Sequence, residues 1–216
     1  MKKNIWIINE YAGSPYHGME FRHYYLGEQL IKSDCSINII SSHYSHLFKK
    51  LPEVPSENID GINYIWLKTL NYGASRNKMR VLKWVIFSFK IFTLPFKLKK
   101  PDVIIVSPMA PFPILPSWIL AKFFKCKLIF EVKDIWPASL IELGGISSRH
   151  PLILVMSWFE RFAIKKSDII VSNLPDYALH IKENLQLNKA VVWISNGVDL
   201  IEIEENDPLD EKFSSL

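Results

Sequence analysis

Seven short, largely apolar runs rich in β-branched residues punctuate the chain, at positions 5–8, 37–40, 62–67, 103–106, 127–132, 169–172 and 191–194. Between them lie longer stretches in which apolar residues recur at helical spacing. Continuous β-branched runs are what a strand buried on both faces requires, and the intervening helices supply the covers. The alternation predicts an α/β fold, a doubly wound parallel sheet of Rossmann-like type. A mixed α+β domain is the competing architecture. The first helix is expected over about 19–33 and another from about residue 114.

In an open parallel sheet, ligands bind beyond the carboxyl ends of the strands, so the segments just after each run are where chemistry is expected. After the first run come Glu10, Tyr11, Ala12, Gly13, Ser14, Pro15, Tyr16, His17 and Gly18, leading into a helix that carries Arg22, His23 and Tyr24. Glycine lets backbone approach a ligand, and a helix start offers free N–H groups to an anion. No Gly-x-Gly-x-x-Gly fits the turn and no Gly-Lys-Ser/Thr closes it. This disfavours a dinucleotide oxidoreductase and a P-loop nucleoside triphosphatase. After the fifth run, Glu131, Val132, Lys133, Asp134, Ile135, Trp136 and Pro137 bring charge abruptly to the end of an apolar strand. Pairing of Lys133 with Asp134 or Glu131 is the purely structural reading of that segment.

Composition adds three constraints. At 216 residues and 49% hydrophobic content the chain supports one well-buried domain, and a disordered chain is excluded. The two cysteines, Cys35 and Cys126, and six scattered histidines show no metal-ligand or disulfide spacing, which fits a reducing compartment. The net charge of +4 hides an asymmetry. Residues 199–216 hold seven acids and one lysine, which leaves 25 bases against 15 acids, or +10, in the body. A basic body favours anionic partners.

Two segments bear on membranes. The run 103–121 has no charge, but its four prolines argue for a strand, a stiff loop and a helix start instead of a membrane span. The stretch 76–100, from Arg76 to Lys100, has eight basic residues, no acidic ones and thirteen apolar side chains. It is expected to pack one side on the sheet and to rest its lysines and aromatics among anionic headgroups. An ordinary cover helix is the alternative. The apolar run at the N-terminus stops at Asn9 and Glu10 without a cleavage site and reads as a first strand. No nucleic-acid-binding module is recognisable.

The order of these features resembles the N-terminal domain of family 4 glycosyltransferases, retaining enzymes of the two-domain type B fold. The resemblance is carried by the Gly13 to Gly18 turn with Glu20 and Arg22, by the Glu131 to Pro137 segment, and by Ile194, Ser195, Asn196, Gly197, Val198 and Asp199, which resemble the family's Asn-Gly-Val-Asp handover. The nearest likeness is to bacterial transferases of O-antigen and capsule synthesis, such as N-acetylfucosaminyltransferases.

The resemblance implies that residues 1–199 form the acceptor-binding lobe and that 200–216 are an acidic linker toward a donor domain. No metal or other cofactor is implied. The partners would be a nucleotide-sugar, held mainly by the donor domain, and a lipid-linked saccharide acceptor. The location would be the cytoplasmic face of the membrane, with the chain inactive by itself.

Carried over by position, Gly13, Gly18 and Arg22 would lie beside donor phosphates or acceptor, and Asn196 and Gly197 at the interdomain edge. Lys133 stands where many members have a histidine that contacts the transferred sugar. A lysine donates a hydrogen bond or offsets phosphate charge but is not the near-neutral acid–base group that an imidazole is. That leaves Asp134 as the expected general base toward the acceptor hydroxyl. Tyr11, Tyr16, Phe112 and Trp136 fall on the expected crevice rim, where rings can stack on sugars or a polyprenyl chain, with Trp136 the substrate-binding candidate among them. Glu20 and Glu28 match the family's Glu-x7-Glu spacing by accident on one face of the first helix. His17 and His23 are read as ordinary turn histidines. A non-catalytic acceptor-binding or assembly subunit, pairing with a separate donor domain, is the alternative function.

Overall fold

The computed structural model describes residues 2–18, 20–72 and 79–197. Eight strands form one sheet in the order β3-β4-β2-β1-β5-β6-β7-β8. They are β1 (Lys3–Ile8), β2 (Cys35–Ser42), β3 (Ser56–Ile59), β4 (Ile62–Leu67), β5 (Val103–Val106), β6 (Lys127–Val132), β7 (Ile169–Ser172) and β8 (Val192–Trp193). Every pairing is parallel except that of β3 with β4. The Rossmann-like α/β expectation therefore holds, with one addition. The four-residue β3, Ser-Glu-Asn-Ile, closes the edge as an antiparallel hairpin arm. Its polar composition gives no buried-strand signal.

The helices are α1 (Arg22–Lys32), α2 (Met79–Lys90), α3 (Ile114–Phe124), α4 (Ala138–Glu142), α5 (Pro151–Lys166) and α6 (Tyr177–Glu183), and a 3-10 segment, Ile91–Phe96, follows α2. Strand side chains alternate between the two faces. Ile5 and Ile7 of β1 join α1 in one core, while Trp6 and Ile8 join Phe87, Ile91, Leu120 and Ile164 in the other. Gly27 of α1 packs closely on β4: a Cβ there would stand 2.7 Å from Ile62 Cδ1, which would have to move aside. Strand order reverses between β1, whose helix leads to β2, and β5, whose helix leads to β6. This is the switch point at which an open sheet leaves a crevice.

The first helix begins at Arg22, not near residue 19. Glu20 lies outside it with φ of 86°, so the expectation that Glu20 and Glu28 share a helix face is wrong. Residues 76–78 of the basic stretch and the segment 198–216, which holds Asp199 and the acidic tail, fall outside the described residues.

Candidate functional site

Parallel strands ending at one level bring Asn9 and Glu10 (after β1), Ser107 (after β5) and Glu131, Lys133 and Asp134 (at and after β6) to one edge of the sheet. Asn9 and Glu131 are separated by the width of β5, roughly 10 Å for two strand spacings. The first turn of α1 spans that gap. His23 Nε2 lies 2.7 Å from Glu131 Oε2, and its Nδ1 lies 3.0 Å from Asn9 Nδ2. Arg22 Nε donates to Glu131 Oε1 at 3.1 Å, with Nη2 3.0 Å from the same oxygen. Asn9 also donates to Glu20 Oε2 at 2.7 Å, and the same carboxylate oxygen accepts from Lys133 Nζ.

Burial alone would raise the Glu131 carboxyl. His23, through charge and hydrogen bond, then a hydrogen bond from Ser107 and the charge of Arg22 outweigh it and hold this carboxyl far below the usual carboxylate range. Glu20 behaves likewise: burial pushes it up, and Lys133 and His23 bring it below its ordinary value. Both carboxylates are thus anionic anchors for cations, not proton acceptors.

Arg22 has a second task. Its Nη1 donates to Ser195 O at 3.1 Å and to Asn196 Oδ1 at 2.9 Å, and its Nη2 donates to Ile194 O at 3.2 Å. One guanidinium thereby fastens the segment after β8 to the end of β6. Arg22 and Asn196 are hydrogen-bonded to each other and Lys133 is held by Glu20; Arg22 spends its donors on protein partners, while Lys133 gives one of its three to Glu20. Gly197 lies exposed beside them with open space around its Cα.

The glycine turn has a different role from the one expected. Gly18, at φ 107°, faces the 47–49 loop, where a Cβ would stand 2.9 Å from Lys49 N. Gly13 is buried, donates to Glu20 O, and its carbonyl accepts from Tyr64 Oη at 2.9 Å. The close backbone approach that calls for glycine at position 18 is therefore chain against chain. His17 completes this turn, with Nδ1 2.9 Å from Ser14 Oγ and Nε2 3.2 Å from Glu57, and burial lowers its proton affinity.

Behind the edge, Lys83 of α2 is fully buried with Nζ 2.9 Å from Glu10 Oε1 and 4.6 Å from the centre of the Tyr11 ring. Tyr11 Oη accepts from Arg80 Nε at 3.1 Å and Trp84 Nε1 at 3.0 Å. Burial raises the Glu10 carboxyl and lowers the Lys83 ammonium, each countered by the other's charge. The sequence offered Lys83 as a headgroup-facing lysine; it is a buried strut instead. Tyr11 and Phe112, expected on the rim, are core residues at 1% and 8% exposure. Trp136 is half-buried edge-on to Trp84, and Tyr16 is exposed. Asp134 is exposed and lines two adjoining cavities.

Asn9, Glu20 and His23 were missed as site residues. The polar break Asn9-Glu10 at a strand end was the available signal for the first of them. Among the described residues no group of three or more His, Cys, Asp or Glu is set to hold a metal ion.

No family model and no curated protein matches the sequence. Solved structures do match, and they are glycosyltransferases of the GT-B fold. Sucrose-phosphate synthase from Thermosynechococcus elongatus aligns at TM-score 0.63 and 13% identity, over 93% of this chain and 49% of that one. The catalytic domain of starch synthase IV from Arabidopsis thaliana, bound to ADP and acarbose, aligns at TM-score 0.62 and 15% identity, over 93% and 52%. LpCGTa in complex with UDP aligns at TM-score 0.54 and 11% identity, over 94% and 56%. At these identities the likeness is one of fold, that of a Rossmann-like GT-B lobe, and the chain spans about half the length of each of the three.

Proposed function

We propose that the chain is the acceptor-binding lobe of a retaining glycosyltransferase, in the manner of family 4, that moves a sugar from a nucleotide-sugar to a lipid-linked saccharide in O-antigen or capsule synthesis. The observation that carries this reading is the charged cluster Glu20–Lys133 and Arg22–Glu131 at the switch-point edge of a sheet whose fold is shared with GT-B lobes. ADP and UDP in two of those relatives support a nucleotide-sugar as the donor.

In this reading, Lys133, held by Glu20, is positioned to donate to a sugar hydroxyl at the cleft. Asp134, exposed beside it, takes the proton from the acceptor hydroxyl as that oxygen attacks and the sugar–phosphate bond breaks. Trp136 walls the acceptor side. Gly13 and Gly18 shape the loop that frames it, while Asn196 and Gly197, pinned through Arg22, form the edge toward a second lobe. Groups that bear the developing phosphate charge belong to that lobe.

The membrane part of the reading rests on the far ends of α2 and α3. No described helix is long and apolar enough to cross a membrane. Yet Phe89, Phe96 and Phe123 are 68%, 90% and 73% exposed, and Lys97, Lys99 and Lys100 are exposed close by in the chain. Aromatics beside lysines suit the headgroup boundary of an anionic bilayer at the cytoplasmic face.

Incubating the purified chain with UDP-sugars and lipid-diphosphate saccharides tests the division of labour. The expected result is acceptor retention without turnover; robust transfer by these 216 residues overturns it. Flotation with anionic vesicles tests the surface, with loss of flotation expected for Phe89→Ser/Phe96→Ser.

A further inference from the structure

A cavity of 280 Å3 lies between α2, α3 and α5, away from the charged network at the carboxyl edge and just under the size of most small-molecule sites. Val85 of α2, Phe92 of the 3-10 segment, Leu115 of α3 and Phe159 of α5 wall it, and Phe112 joins them from the loop after β5. Its one polar lining side chain is Ser88, whose hydroxyl donates to Trp84 O at 2.8 Å. A polar group entering this slot would give up water and find no free side-chain donor among the lining residues. A hydrocarbon chain loses nothing there.

The slot opens onto an apolar surface. One helical turn from Val85, Leu115 and Phe159 stand Phe89, Ile119 and Val155, all exposed, and Trp158 sets a further exposed ring 5.0 Å from that of Phe159. Such a patch marks a contact surface, and its charge says of what kind. The helices α2 and α3 and the 3-10 segment contain no acidic residue, and the one acid of α5, Glu160, is 4% exposed. Lys97, Lys99, Lys100, Lys122, Lys125 and Lys165 are exposed where these elements approach the amino ends of β5, β6 and β7. A second copy of the chain would set lysine against lysine, whereas an amphiphile with an anionic head complements both the charge and the slot.

Topology orients the slot. The helix α3 leaves the carboxyl edge after β5, while α2 and the 3-10 segment lead toward the amino end of β5, so the slot runs between the charged edge and the lysine-flanked end. At the edge, Trp84 stacks on Phe112 with ring centres 6.3 Å apart and meets Trp136 edge-on at 6.1 Å. We propose that the slot holds the hydrocarbon tail of the lipid-linked acceptor, with the acceptor phosphate at the carboxyl edge near Trp136 and the tail continuing toward a bilayer at the lysine end. The inference rests on the acceptor-lobe reading and adds to it the path of the tail.

Titrating the isotope-labelled chain with farnesyl phosphate, below its micelle concentration and without vesicles, tests this. Saturable amide shifts are expected at 112–119 together with 134–136. Across hexyl, octyl, decyl and dodecyl phosphate, affinity should rise about fourfold for each methylene buried and level off once the slot is full. A rise that continues through dodecyl marks partition onto an open face and overturns the slot. Leu115→Trp, which fills the slot, should weaken farnesyl phosphate at least tenfold. Because a half-buried substitution can impair folding, the exposed pair Phe89→Asp/Phe92→Asp provides a second arm with a similar loss expected, and unaltered binding in that pair overturns the proposal. Saturation with shifts centred on Lys97 to Lys100 in place of 134–136 gives the slot to a bilayer lipid, and sedimenting dimers that farnesyl phosphate leaves intact give it to a second copy; either overturns the proposal. No saturation by farnesyl phosphate while a short-chain lipid-diphosphate saccharide still shifts Lys133 and Asp134 overturns the slot and leaves the acceptor-lobe reading standing. Silence from both ligands overturns both.

Discussion

Two polar clusters lie side by side along the carboxyl edge of the sheet, and they are built on opposite plans. Around Glu131, donors and carboxylates alternate and are closely paired: Arg22 and His23 on Glu131, Lys133 and Asn9 on Glu20. Around Glu160, five carboxylates, four of them exposed, line a cavity that no lysine or arginine lines, and space is left open. The first plan spends its donors on the protein and fixes loops in place. The second leaves its exposed carboxylates to solvent. A conspicuous cluster of charge can therefore be mostly frame, with only its unused donors, here those of Lys133, left for a ligand.

Breaking the frame carries the largest expected effect. Glu131→Gln leaves the Arg22 guanidinium half-buried beside a group that no longer balances its charge, and about 3 kcal/mol of stability is expected to be lost in urea unfolding. The segment 194–196 should loosen at the same time, seen as faster amide exchange. Next comes the strut behind it. Lys83→Met strands the buried Glu10 carboxyl and should cost about 2–3 kcal/mol, while Glu10→Gln/Lys83→Met together should recover most of that loss. A double variant as damaged as the single one would show that the pair's charge is not what matters.

Acid sharpens the contrast at a smaller scale. Glu131 and Glu20 have folded proton affinities below their unfolded ones, so their contribution is full above the unfolded carboxylate value of about 4.3 and is lost as pH falls through the folded values. Unfolding midpoints should drop steeply between about pH 4.5 and 2 in the parent chain and less in Glu131→Gln. Smallest in stability is Phe89→Ser/Phe96→Ser at the exposed aromatics, expected within about 0.5 kcal/mol of the parent. A large destabilisation there would mean that these rings pack in the fold and do not wait for a lipid surface.

Much of the sheet was legible because a strand buried on both faces must be written as a β-branched run, and all seven runs became strands, although the last, β8, is an exposed two-residue edge. β3 escaped because an antiparallel edge strand exposes half its residues and reads Ser-Glu-Asn-Ile. Of the site, the Glu131 to Trp136 segment and Arg22 were visible as charge at strand and helix ends. Their partners were not, because Arg22 and Glu131 are 109 residues apart and only the topology makes them neighbours. Local reading also placed Lys83 with the surface lysines, since nothing nearby in sequence announces Glu10 as its counter-charge. The Glu160, Tyr177 and His180 cavity left no trace in the pattern. Its walls are drawn from helices α5 and α6, where an acid, a tyrosine and a histidine are unremarkable singly.

The most direct test of the acceptor-lobe account is a pair of amide chemical-shift titrations on the same labelled chain, one with a short-chain lipid-diphosphate saccharide and one with UDP alone. The account predicts saturable shifts from the saccharide centred on Lys133, Asp134, Trp136 and Asn196, and none that saturate with UDP. Saturable UDP shifts without any response to the saccharide would contradict it.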